Sequence, residues 1–193
     1  MPAIGVFCGS SPGIDQRYAA EAEEVARLLV ERGVRIVYGG AHVGTMGVLA
    51  DTALAAGGEV VGVIPEHLVG REVAHPGLSE LVVVGSMHER KALMAELSDG
   101  FVALPGGLGT LDEFAEIVTW SLLGLHDKPT AVFNRSGYFD QLLSFFDHAV
   151  AEGFLRPHHR ARVLEARTLD EVVGLVLGAV GVNRRGDGRG TPR

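Results

Sequence analysis

Three glycine-rich turns in this 193-residue chain are the segments best suited to hold a charged small molecule: CGSSPG at 8–13, GGAHVGTMG at 39–47 and PGGLGT at 105–110. Glycine lets backbone N–H groups approach an anion, and the positive end of a following helix favours its charge. Close strand-to-helix packing uses glycine too, so a single turn is ambiguous. Gly39, Gly40, Gly44 and Gly47 together with Gly106, Gly107 and Gly109 favour phosphate binding, with Ser10 and Thr45 as side-chain candidates. A fourth segment, Met87-His88-Glu89-Arg90-Lys91, carries two adjacent basic residues one turn into a helix that starts beside those glycines. They suit an anionic ligand, although adjacent basic residues are commonly just an exposed helix face. Glu113 adds a carboxylate next to PGGLGT. Its spacing from Thr110 fits a capping box, as does Ser86 to Glu89, and spacing alone favours that role for Glu113.

Other chemistries are disfavoured. Neither lysine, Lys91 nor Lys128, follows a glycine, so no Walker loop is present, and Gly107-Leu108-Gly109 continues into Thr110-Leu111-Asp112 rather than a dinucleotide fingerprint. Gly9-Ser10-Ser11-Pro12-Gly13 has the form of a serine-hydrolase elbow. The residue after that serine must donate its N–H to an oxyanion, and Pro12 has none. The eight histidines include no HExxH pair, and His158-His159 fit a solvated turn, so no metal is expected.

Short β-branched runs alternate with segments of helical period. Strands are expected at 3–7, 35–38, 60–64, 81–84, 101–104 and 130–133, mostly apolar throughout, as in strands buried on both faces. Helices are expected at 15–32, 46–56, 87–97, 111–123, 138–152 and 169–177. This alternation predicts an α/β fold, a Rossmann-like parallel sheet with helices on both faces, forming one domain over 1–180. The glycine turns and the start of the 87–97 helix would then share the carboxyl edge of the sheet, where such folds bind ligands. The 27 glycines, about twice the usual ~7% share, match that many tight turns.

The chain carries a formal charge of −7; residues 181–193 hold four arginines and one aspartate, leaving −10 on 1–180. A body that acidic argues against a nucleic-acid groove. The Gly/Arg tail has the composition of a disordered terminus. A lone cysteine, Cys8, excludes an intramolecular disulfide. With no secretory pattern at the start and no apolar run near ~20 residues, a cytoplasmic protein away from membranes is expected.

PGGLGTLDE at 105–113 with MHERKALM at 87–94 resembles the LONELY GUY family of cytokinin-activating phosphoribohydrolases. CGSS, GGAHVGTMG, VIPEHL at 63–68, REV at 71–73, LGLHDKP at 123–129 and FFDHAVAEGF at 145–154 follow in the family's order. The second turn departs from the family's frequent triple glycine, reading Gly39-Gly40-Ala41. The resemblance implies hydrolysis of the N-glycosidic bond of adenosine 5′-monophosphate, plain or N6-prenylated, by a homodimer with no cofactor. It implies Arg90 and Glu113 as the catalytic pair. It also implies Glu72, Lys91, Gly107, Gly109, Thr110 and Thr119 as substrate contacts, with Gly106, Leu108, Leu111 and Asp112 alongside. A permanently charged arginine donates protons poorly, so Arg90 is expected to bind and stabilise charge. A non-catalytic nucleotide or cofactor carrier is the competing class, because similar glycine loops bind ligands without turning them over. A carrier has no need of the Arg90 and Glu113 pair.

Overall fold

The computed structural model describes residues 1–69 and 74–181. Seven strands form one sheet: β1 (Ala3–Phe7), β2 (Arg35–Tyr38), β3 (Val60–Pro65), β4 (Glu80–Val84), β5 (Gly100–Ala103), β6 (Thr130–Phe133) and β7 (Val163–Ala166). Their spatial order is β4-β3-β2-β1-β5-β6-β7, and every neighbouring pair is parallel. The chain steps outward from β1 to β4, then crosses back to lay β5 on the other side of β1. The carboxyl ends of β1 and β5 therefore flank a topological switch point, the place where open parallel sheets form a ligand crevice.

Helices cover both faces, as the alternation requires. On one face α1 (Arg17–Glu31) and α2 (Gly44–Ala55) pack through Val25, Leu29, Leu49 and Ala53, all fully buried, joined by Val172 of α8 (Leu169–Val172). On the other, α4 (Met87–Leu97), α5 (Leu108–Leu122) and α6 (Asp140–Ala151) bury Met94, Phe114, Ile117 and Leu143. Each such side chain contributes roughly 1.5–3 kcal/mol on burial. Two single-turn helices, α3 (Glu66–Val69) and α7 (Pro157–Arg160), complete the set.

The sequence reading departs from the structure in four places. Strand β7 was not expected: it is four residues long, sits at the sheet edge and carries Glu165, so it lacks an apolar run. Strand β4 is the opposite edge, with Leu81 37% and Val83 50% exposed, and so is not buried on both faces. The 169–177 helix runs on without a break to Gly181, with a π-helical stretch at Val173–Leu177 following α8. Most consequential, α5 begins at Leu108 with Gly107 as its N-cap, three residues earlier than expected. Thr110 is therefore inside the helix and does not cap it. The 110–113 capping box is not formed, which removes the capping explanation for Glu113. At Ser86 the hydroxyl does accept from the Glu89 amide at 3.1 Å, while Glu89 reaches back to the Gly85 amide at 2.9 Å. The tail beyond Gly181 lies outside the described residues.

Candidate active site

Arg90 is on the first turns of α4, yet only 6% exposed. A guanidinium is tolerated there because backbone oxygens at the strand ends receive it. Its Nε donates to the Val63 carbonyl at 3.1 Å and its Nη2 to the Gly39 carbonyl at 3.3 Å. These acceptors are in β3 and just past β2, so Arg90 sits over the carboxyl edge of the sheet. A Cβ at Gly39 would fall 2.0 Å from Arg90 Nη2. The missing side chain is the space the cation occupies.

Glu113 approaches the same point from α5. Its Oε1 is 3.3 Å from Arg90 Nη2, and its side chain is 8% exposed. Between them opens a cavity of about 150 Å³, walled by Val6, Cys8, Ser10, Gly39, Met46 and residues Gly107–Thr110. The first amides of α5, those of Leu108, Gly109 and Thr110, have no place in the helix's own ladder, and hydrogen bonding along it starts with Leu111 N to Gly107 O. A Cβ at Gly107 or Gly109 would meet nothing within 4 Å, so the backbone there borders open space. The Thr110 hydroxyl is buried without a hydrogen-bond partner among the described residues. Together they form a neutral-donor cradle at a positive helix end.

A second cavity of about 250 Å³ shares Ser10 and Gly107 with the first and is bounded by Pro12, Tyr18, Gly106 and Tyr138. Taken alone, the first is small beside the ~300–1,000 Å³ of typical small-molecule sites.

The other expected site residues divide. Arg90, Glu113, Ser10 and Gly107, Leu108, Gly109 and Thr110 meet at the first cavity, and Gly106 and Thr45 border the second. Lys91 does not line either: its Nζ is held by Asp112 Oδ2 at 3.0 Å and Glu116 Oε2 at 2.8 Å, cross-linking α4 to α5. Leu111 and Thr119 lie on the exposed side of α5, the Thr119 hydroxyl donating to the Ala115 carbonyl at 2.7 Å. Gly40, at φ +81°, packs on β3 rather than the cavity. Thr45 Oγ1 bonds both the amide and the carbonyl of Gly9, at 2.9 and 3.1 Å, and Gly44 makes room for Ser10 and Ser11. Those two residues hold the first glycine turn in place. Glu72 lies outside the described residues. Sequence reasoning missed Cys8 and Met46 as cavity walls; nothing in their local pattern marks them. Burial and the Glu113 charge push the Cys8 thiol up to about 12, so it is no nucleophile at neutral pH.

A family model described as "Possible lysine decarboxylase" matches residues 46–176. A protein named cytokinin riboside 5′-monophosphate phosphoribohydrolase from Rhodococcoides fascians is 50% identical over 175 residues, covering 90% of this chain and 88% of that one. One of the same name from Arabidopsis thaliana is 46% identical, covering 88% and 80%. The chain belongs to the LONELY GUY family. Among solved structures it is similar to a molybdenum cofactor binding protein from Rippkaea orientalis, with a TM-score of 0.70 at 24% identity over 93% of this chain and 97% of that chain. A Moco carrier protein from Chlamydomonas reinhardtii has a TM-score of 0.68 at 20% identity over 94% and 98%. At that distance the likeness concerns the fold alone.

The decarboxylase description attached to the LONELY GUY model implies pyridoxal phosphate, which needs a free lysine amine for its Schiff base. Neither lysine fits. Burial pulls the Lys91 ammonium down, but hydrogen bonds and charge from Glu116 and Asp112 more than compensate, leaving its pKa raised. Lys128, lowered by burial, donates its Nζ to the Ala95 carbonyl at 2.6 Å, and it lines neither cavity.

Proposed function

We propose that this chain hydrolyses the N-glycosidic bond of adenosine 5′-monophosphate or its N6-prenylated form, releasing free base and ribose 5-phosphate. The observation that carries the proposal is the buried Arg90–Glu113 pair, set in the same cavity as the free amides of α5. Its closest support outside the cavity is the name of the half-identical relative from Rhodococcoides fascians.

In this reading the amides of Leu108, Gly109 and Thr110 and the Thr110 hydroxyl hold the 5′-phosphate. As the bond from C1′ to the base nitrogen breaks, its electron pair leaves with the base and positive charge builds on the ribose, as in glycoside cleavage. The Glu113 carboxylate stabilises that charge and orients the water whose oxygen bonds to C1′. One water proton is released and the base takes one up. Arg90 is fixed by two backbone carbonyls, so it acts by binding and charge rather than by proton transfer. No metal or cofactor enters these steps. A carrier would have no use for a buried ion pair in its binding cavity, which is why the catalytic reading is preferred.

The active form is a homodimer. Leu108, Leu111, Ala115, Thr119 and Leu123 follow helical spacing along the exposed side of α5, and Leu108 and Leu123 are 85% and 69% exposed. A second copy covering this stripe would bring Thr119 near a site it does not reach within its own chain. The functional unit spans 1–180 and acts in the cytoplasm, where a single buried free thiol is at home; among the described residues no helix is long and apolar enough to cross a membrane.

The test is to incubate the protein with AMP, N6-prenyl-AMP and adenosine and to quantify released base. The monophosphates should be cleaved with kcat/KM at least about 10²-fold above the nucleoside, because phosphate binding energy lowers the barrier at the sugar. Equal values for adenosine and AMP would overturn the reading.

A further inference from the structure

Tyr138 touches the glycine turn before α5 from outside the proposed catalytic machinery. Its hydroxyl donates to the Gly106 carbonyl at 2.6 Å. Gly106 is tightly held on another side as well, since a Cβ there would lie 2.1 Å from Thr110 Oγ1 and 3.0 Å from the Gly9 amide. The next residue, Gly107, has open space around it. A peptide between two glycines has no side chain to resist rotation, so its orientation must be set by hydrogen bonds.

The peptide is trans and planar, so the Gly106 carbonyl and the Gly107 N–H point in opposite directions. Tyr138 and Gly106 form part of the wall of the second cavity. With the carbonyl fixed toward Tyr138, planarity turns the Gly107 N–H the opposite way, and Gly107 lines the first cavity as well as the second.

Tyr138 is itself well anchored. Its ring meets Tyr18 edge-on at 5.6 Å and Phe139 at 5.1 Å. The turn that presents it is organised by fully buried Asn134, whose Nδ2 donates to Asp140 and Glu165 at 2.7 and 2.8 Å and whose Oδ1 accepts from the Phe139 amide at 2.8 Å.

We infer that Tyr138 is a positioning residue whose hydroxyl locks the Gly106–Gly107 peptide with its N–H presented to the substrate phosphate. The inference rests on the phosphate-cradle reading given above. Without the lock the peptide turns its carbonyl toward the phosphate in part of the population, and affinity for the anion falls by the fraction that remains competent.

The experiment is calorimetric titration of ribose 5-phosphate into wild type and Tyr138→Phe, with AMP and adenosine kinetics alongside. Tyr138→Phe keeps the ring contacts and should melt within about 2 °C of wild type. Its Kd for ribose 5-phosphate and its KM for AMP should rise about tenfold, with kcat and adenosine cleavage nearly unchanged. Where wild type binds ribose 5-phosphate, unchanged affinity in Tyr138→Phe would overturn the lock alone. An equal loss on AMP and adenosine would mark a general structural role and also overturn it. A wild type that does not bind ribose 5-phosphate would remove the phosphate cradle and the lock together.

Discussion

Arg90 Nη2 lies 3.3 Å from Glu113 Oε1, with both side chains less than a tenth exposed, one from α4 and the other from α5. A buried ion pair is weak evidence of added stability, since desolvation offsets most of its attraction. Its position in a cavity at the switch point of the sheet makes function the better account, and the consequences of that placement can be measured.

Gly39 should be intolerant of a methyl group for a catalytic reason. Its Cβ would fall 2.0 Å from Arg90 Nη2, and the flexible guanidinium is the part that can yield. Gly39→Ala should keep its fold, with a melting temperature a few degrees from wild type, and lose about 10²-fold in kcat/KM for AMP. Wild-type turnover would mean Arg90 need not be where it is.

The Thr110 hydroxyl lines the cavity and has no hydrogen-bond partner among the described residues, so a substrate phosphate is the partner it is placed to take. Thr110→Val removes the hydroxyl at similar volume. The variant should melt close to the wild-type temperature while binding ribose 5-phosphate about tenfold more weakly. A lower melting temperature with unchanged affinity would assign the hydroxyl to structure.

Much of this was legible in the sequence, and the misses have physical causes. Strands such as 35–38 and 130–133 stand out because their β-branched runs are buried on both faces; edge strand β7, interrupted by Glu165, does not. The start of α5 was misplaced because Gly107 caps without a side-chain hydrogen bond, while Thr110 and Glu113 imitate the spacing of one. Arg90 and Glu113 were recognisable as reactive types. That they meet depends on strand order, which brings α4 and α5 together and which no local pattern encodes. Likewise Lys91 was read beside Arg90, but one step of helical rotation sends it to Asp112 and Glu116 instead.

The thiol of Cys8 offers a check on the dryness of the cavity floor. Burial, then the Glu113 charge, push it up to about 12. An unfolded thiol titrates near 8.5, so at pH 8 the native protein holds on the order of 10⁻⁴ of it as thiolate. Iodoacetamide at pH 8 should leave native protein unmodified and label it fully in denaturant. Rapid native labelling would show the floor to be wet.

The α5 stripe predicts assembly. Wild type should have a dimer mass by light scattering at micromolar concentration. Ala115→Arg, at an exposed position in the middle of the stripe, should yield a folded monomer. A monomeric wild type would contradict the dimer.

The central claim is that Glu113 stabilises charge on the ribose, and the kcat of Glu113→Gln tests it most directly. The amide keeps the shape and removes the charge, so turnover of AMP should fall at least about 10²-fold, the scale of losing one preorganised electrostatic group. Binding of ribose 5-phosphate, held by the α5 amides, should persist. Wild-type kcat in a folded Glu113→Gln protein would contradict the account.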